Sequence, residues 1–134
     1  MLKRIIAIVA GLAIVITIFL GGRYIHGLMT YRRIISEIEI STPDLSHIQD
    51  GTFNGSFDAI FVSADVNVTI ENHRITEIII NEHYNDRGED AEIVIEDVIL
   101  SQSLEVDTVS GATNSSKVIL SAIENALESA VQQP

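Results

Sequence analysis

The chain contains no cysteine. That excludes disulfides, thiolate chemistry, cysteine-ligated metals and a lipid-modified lipoprotein cysteine, and it leaves the redox compartment open. Basic residues are nearly missing from most of its length: Lys3, Arg4, Arg23, Arg32 and Arg33 fall within the first 33 positions, and beyond them only Arg74, Arg87 and Lys117 oppose 19 carboxylates, the first being Glu37. A segment of net charge −16 repels phosphate backbones and anionic lipid. Nucleic acid is thereby excluded as a partner, as is a domain lying flat on a charged bilayer. His47, His73 and His83 lack a paired ligand spacing such as His-x-x-x-His, which argues against a structural metal. There is no internal repeat or low-complexity tract, and 134 residues leave room for one small domain.

What is present divides into a greasy, basic N-terminus and an acidic remainder. Ile5 to Gly22 is free of charge and about 27 Å long as a helix, enough to cross a hydrocarbon core with Tyr24 near the interface. Apolar residues surround this helix on all faces, so a core helix of so small a domain is a poor account of it. A cleaved signal peptide is the other reading, but no small-x-small site precedes Arg23-Tyr24-Ile25-His26, which favours an uncleaved anchor. Lys3, Arg4 and the amino terminus balance Arg23, Arg32 and Arg33, so charge alone does not orient the span. Tyr31 to Ile40 has the pattern of a short juxtamembrane helix or stalk, broken at Ser41-Thr42-Pro43-Asp44. The expected organisation is an anchor over 1–25, a stalk over 26–44 and a domain over 45–134.

Within the domain, Asp50-Gly51-Thr52-Phe53-Asn54-Gly55-Ser56-Phe57 reads as a first strand. Ala64 to Glu71 alternates, with Val66, Val68 and Ile70 on one face and Asp65, Asn67 and Thr69 on the other, the mark of a half-buried strand. Glu71-Asn72-His73-Arg74 supplies a turn, and Ile75 to Ile80, apolar on both parities, predicts a partner strand covered on both faces. Asn81 to Asp90 reads as a polar loop in which His83 and Tyr84 are exposed. Glu89 to Leu104 fits helix or strand, and the helical spacing of Ala91, Val94, Ile95, Val98 and Ile99 favours helix. The fold class is α+β, a small antiparallel sheet packed with two helices.

The most informative stretch is Asp107-Thr108-Val109-Ser110-Gly111-Ala112-Thr113-Asn114-Ser115-Ser116, where small and hydroxyl residues crowd together before a helix. From Lys117 on, Ile119, Ala122, Ile123, Ala126, Leu127 and Ala130 line one face of that helix. A helix N-terminus favours phosphate. The plain alternative is that the hydroxyls serve only as an N-cap. The stretch resembles the flavinylation motif of the FMN-binding domain family: Asp, two variable residues, Ser or Thr, Gly, Ala and Thr. The opening Asp50-Gly51-Thr52-Phe53-Asn54-Gly55 is also similar to that family.

The resemblance implies that a flavin transferase reads Asp107, Ser110, Gly111 and Ala112. It would split FAD and esterify the FMN phosphate to Thr113, a divalent metal ion assisting. Ser115 and Ser116 are the hydroxyls that could be confused with the acceptor. The resemblance further implies an extracytoplasmic domain on a single-pass cell-membrane anchor, with membrane-bound or extracytoplasmic redox proteins as partners. A covalent ester suits a domain with so few basic groups to hold a free phosphate. No residue looks like a catalytic base or nucleophile toward a substrate, so an electron carrier is expected rather than a stand-alone enzyme. Two other readings stay open: an anchored sensor or interaction domain without covalent flavin, and an oxidoreductase with its own small substrate.

Overall fold

The computed structural model describes residues 1–85 and 88–132, with the side chain of Glu89 outside the description. The polar loop expected over 81–90 includes 86 and 87, so that part of it, Arg87 among it, lies outside the described residues. The chain forms two compact units, Met1–Arg33 and Ile34–Pro134.

Helix α1 (Leu2–Glu37) is continuous over 36 residues, so the span and the helical part of the expected stalk are one element. Its apolar stretch is long enough to cross a membrane, and none of it is buried within the protein. The helix stops before Ser41-Thr42-Pro43, where proline disfavours a helical residue ahead of it. A 3₁₀ turn follows (Leu45–His47), capped by Asp44, whose carboxylate accepts the Ser46 N–H at 2.9 Å. Hydrogen bonding from the Ser46 side chain, and then from its backbone, holds the Asp44 carboxyl below the usual range.

Strands β1 (Gly51–Asp58), β2 (Ser63–Glu71) and β3 (Arg74–Tyr84) form one antiparallel sheet in the order β1-β2-β3. The alternation expected of β2 is present: Ala64, Val66, Val68 and Ile70 are buried. The opposite face is a polar ladder. Asn54 Nδ2 donates to Asp65 Oδ1 at 3.0 Å and to Asn67 Oδ1 at 3.1 Å, and the Thr52 and Thr69 hydroxyls are 3.0 Å apart. At the β2–β3 hairpin Glu71 pairs with Arg74, and Asn72 and His73 both take left-handed φ, 52° and 61°. Left-handed conformation at both central residues is what a two-residue hairpin turn requires.

Strand β3 differs from expectation. It is an edge strand, and Ile79 is 48% exposed, so it is not covered on both faces. The register shifts at Thr69/Ile70 and Asp65/Val66 each leave an extra residue in β3. A bulge exchanges inward and outward parity along the strand. Ile75, Ile78 and Ile80 therefore oppose Ile70, Val68 and Val66 on the inner face, although their spacing is not even. Apolar parity on both sides was the trace of a bulge.

Two helices complete the α+β fold, which is the expected class. A 3₁₀ segment (Glu89–Ile93) leads into α2 (Val94–Ser101), agreeing with the helical reading of 89–104. Helix α3 (Thr113–Val131) packs across β1 and β2. Its contact with β1 is backbone to backbone: a Cβ on Gly55 would collide with the Ala122 carbonyl oxygen and the Ala126 amide nitrogen. The expected inward face is buried, and so are Val118, Leu120 and Ser121, which makes 118–123 buried without interruption. The segment before β1 lies on the far side of this helix. Ser41 donates to Glu124 Oε1 through its amide at 2.9 Å and its hydroxyl at 2.7 Å, and Lys117 Nζ donates to the Ile35 carbonyl at 3.2 Å.

Candidate functional site

The turn that precedes α3 is built by its backbone. The Ala112 N–H donates to the Val109 carbonyl at 3.0 Å, closing a four-residue turn with Ser110 and Gly111 at its centre. Gly111 has φ +83°, the left-handed value that a type II turn demands at its third position and that glycine adopts without steric cost. A Cβ there would meet no atom within 4 Å. The need for glycine is conformational, and the tip of the turn faces open space.

One buried hydroxyl locks this turn to the helix. Ser116 Oγ accepts the Val109 N–H at 3.1 Å and donates to the Ala112 carbonyl at 2.9 Å. Ser116 is fully buried, and Ser115 is 5% exposed. Thr113 is different: it is the first residue of α3 and is exposed, as are Asp107, Ser110 and Gly111. Ala112, the N-cap residue, is buried and makes no side-chain cap bond. The N-cap account of the hydroxyl cluster is therefore wrong for this helix, since its cap is an alanine. The helix also begins earlier than the apolar pattern from Lys117 suggested, and Thr113 lies within its first turn. Unshielded by a side-chain cap, that turn carries the positive end of the helix dipole.

Ser115 packs against the segment that leaves β3. A Cβ on Gly88 would overlap the Ser115 hydroxyl, and Asn85 Oδ1 accepts the Gly88 N–H at 2.8 Å. His83 belongs to the same region and is not the exposed loop residue that the sequence predicts. Strand β3 continues through Tyr84, and the second bulge carries His83 to the inner face, opposite Ala64. Its side chain is 2% exposed, with Nδ1 3.2 Å from Glu92 Oε1. Nε2 is buried without a hydrogen-bond partner among the described residues. Tyr84 is 70% exposed, as expected. The burial of His83 had no local signal, because a bulge is not visible as a period in the sequence.

Beside Asp107 lies a groove of about 550 Å³, lined by Asp97, Leu100 and Ser101 of α2 and by Glu105, Val106 and Asp107. Leu100, which falls outside the helical spacing of Ala91, Val94, Ile95, Val98 and Ile99, is 80% exposed.

These parts define a small α+β domain that displays a glycine turn, and one exposed threonine, at the start of its central helix. Residues 63–128 match the family of the FMN-binding domain, and the domain belongs to that family. No curated protein and no solved structure is a match. The matched segment takes in β2, β3, α2, the turn and α3 as far as Glu128 and leaves out β1. FMN is thus the cofactor that family membership supports, and the chain pairs an FMN-binding domain with one helix able to span a membrane.

Proposed function

We propose that this protein is a membrane-anchored electron carrier whose FMN is joined to Thr113 by a phosphoester. Residues 1–25 serve as the anchor, 26–44 as the stalk, and 45–134 as an extracytoplasmic flavin domain. The observation that carries the reading is the sorting of the three hydroxyls in the first turn of α3. Ser115 and Ser116 are buried, whereas Thr113 is exposed at the first position of α3.

In the attachment step the Thr113 oxygen forms a bond to the phosphorus that carries the riboflavin moiety of FAD. The pyrophosphate bond breaks, AMP leaves, and the hydroxyl proton passes to solvent or to the transferase. Asp107, Ser110, Gly111 and Ala112 present the turn to that enzyme. The N-terminus of α3 suits the resulting phosphodiester, whose remaining negative charge faces the positive end of the dipole. Covalent attachment also answers retention, because Arg74, Arg87 and Lys117 are the only basic residues beyond position 33 and free FMN is normally held by such groups. When bound, the flavin supplies one- and two-electron chemistry. The protein positions it, and an anchor restricts it to a shell near membrane-bound or extracytoplasmic redox partners.

The test is intact mass, followed by peptide mapping, of the chain co-produced with a flavin transferase. The peptide holding Thr113 is expected to gain the mass of an esterified FMN, and Thr113→Ala to abolish the gain while the fold persists. Unmodified wild-type protein beside an active transferase would remove the covalent cofactor.

A further inference from the structure

The groove beside Asp107 is acidic on every side that carries charge: Asp97, Glu105 and Asp107 line it and no cation does. Leu100 also lines it and is 80% exposed, so a partner seated there would remove its apolar surface from water. The groove is also firmly built. On one wall, Val94 and Val98 bury the inner side of α2, and the Ser101 hydroxyl donates to the Asp97 carbonyl at 2.7 Å. On the other, Leu104 is buried, its N–H donates to the Thr42 hydroxyl at 2.8 Å, and the Glu105 N–H donates to the Ser103 hydroxyl at 3.0 Å. A rigid surface loses little conformational entropy on binding.

An exposed leucine in a groove that also holds three carboxylates is complementary to an apolar socket flanked by Lys and Arg. Such a pairing excludes water over the centre and uses the charged rim for steering and orientation. Because Asp107 is both a wall of this groove and the first residue of the motif that contains the turn, an enzyme that reads the motif from Asp107 onward reaches the groove as well. Resting on the reading of Thr113 as acceptor, we propose that the groove between α2 and residues 105–107 is a docking site for the modifying transferase, which meets it with basic side chains around a socket for Leu100. Recognition then extends beyond the turn to Asp97, Leu100 and Glu105.

The experiment measures initial rates of FMN attachment to the full chain in detergent, with purified transferase and FAD, by intact mass. The double variant Asp97→Lys/Glu105→Lys is expected to slow attachment at limiting enzyme by about tenfold or more, with the same final extent at excess enzyme. Leu100→Ser, at a site too exposed to disturb the fold, should slow it several-fold. Wild-type rates should fall with added salt, and those of the charge-reversed variant should not. A control, Glu77→Lys/Glu82→Lys, reverses two exposed charges on β3. Groove variants that keep the wild-type rate would overturn the proposal, as would a control that loses as much as they do. A wild-type chain that takes no FMN at all would instead bring down the acceptor reading, and the docking site with it.

Discussion

Ser116 and Thr113 stand three positions apart, carry the same functional group, and meet opposite environments. The serine hydroxyl is committed twice, to the Val109 N–H and the Ala112 carbonyl, whereas the threonine is open to solvent. Ser116→Ala leaves the buried side of the turn with an unpaired amide, at a cost of about 1–3 kcal/mol. The expected outcome is a lower melting temperature together with FMN still found on Thr113 by peptide mapping. Loss of the label in a folded Ser116→Ala protein would move the acceptor to the serine. Gly111→Ala forces a side chain into left-handed φ at a cost of about 1–2 kcal/mol. It is expected to slow attachment more than it destabilises the domain, which paired rate and thermal-melt measurements would check. The motif was legible letter by letter in the sequence. Which hydroxyl is clamped and which is offered was not, since that depends on how the Val109 amide folds back over α3.

At the scale of elements, Gln102 shows how the β3 edge is closed. It ends α2 in left-handed conformation, φ 57°, with its N–H on the Val98 carbonyl, a termination that usually falls to glycine. Its amide then acts as a short strand: Oε1 accepts the Ile75 N–H at 2.8 Å and Nε2 donates to the Ile75 carbonyl at 2.9 Å. Such a cover also blunts an exposed sheet edge. Gln102→Ala should cost about 1–3 kcal/mol and Gln102→Gly less, because glycine keeps the backbone geometry. In both, the Ile75 amide is expected to lose hydrogen-exchange protection, and unchanged protection would refute the role. None of this could be read from one glutamine in a chain. By contrast β2 and α3 were legible, since each buries a face with the period of its own backbone. Strand β3 was half legible: its apolar content marked a strand, while two bulges hid which side each isoleucine, and His83, would face.

For the whole molecule, charge is the dominant trait. The chain beyond position 36 carries −16, and carboxylates this dense repel one another in the folded state more than in an extended one. Added salt should therefore stabilise the domain. A rise of about 1 kcal/mol would lift its melting temperature by roughly 4–8 °C for a domain of about 100 residues. Thermal melts of the detergent-solubilised chain at low and at 0.5 M sodium chloride (a concentration about where screening lengths fall to a few ångströms) would show it. A melting temperature that falls or stays level would mean that local pairs outweigh the overall field. The asymmetry of charge was plain from the sequence. Its spatial consequence, an acidic groove around Leu100, needed α2 and the following segment to be brought side by side.

Helix α3 starts at the glycine turn and runs through the core, with Ile119, Ile123 and Leu127 fully buried. Segments with so much buried surface open only when the whole domain opens. The turn before α3, held by the bond from the Val109 N–H to Ser116 Oγ, is thus complete only in the folded domain. On the proposed reading this sets an order of events: the chain folds first and receives its flavin second. A nascent or denatured chain shows the letters of the motif but not its shape, so the modification doubles as a check that folding has succeeded.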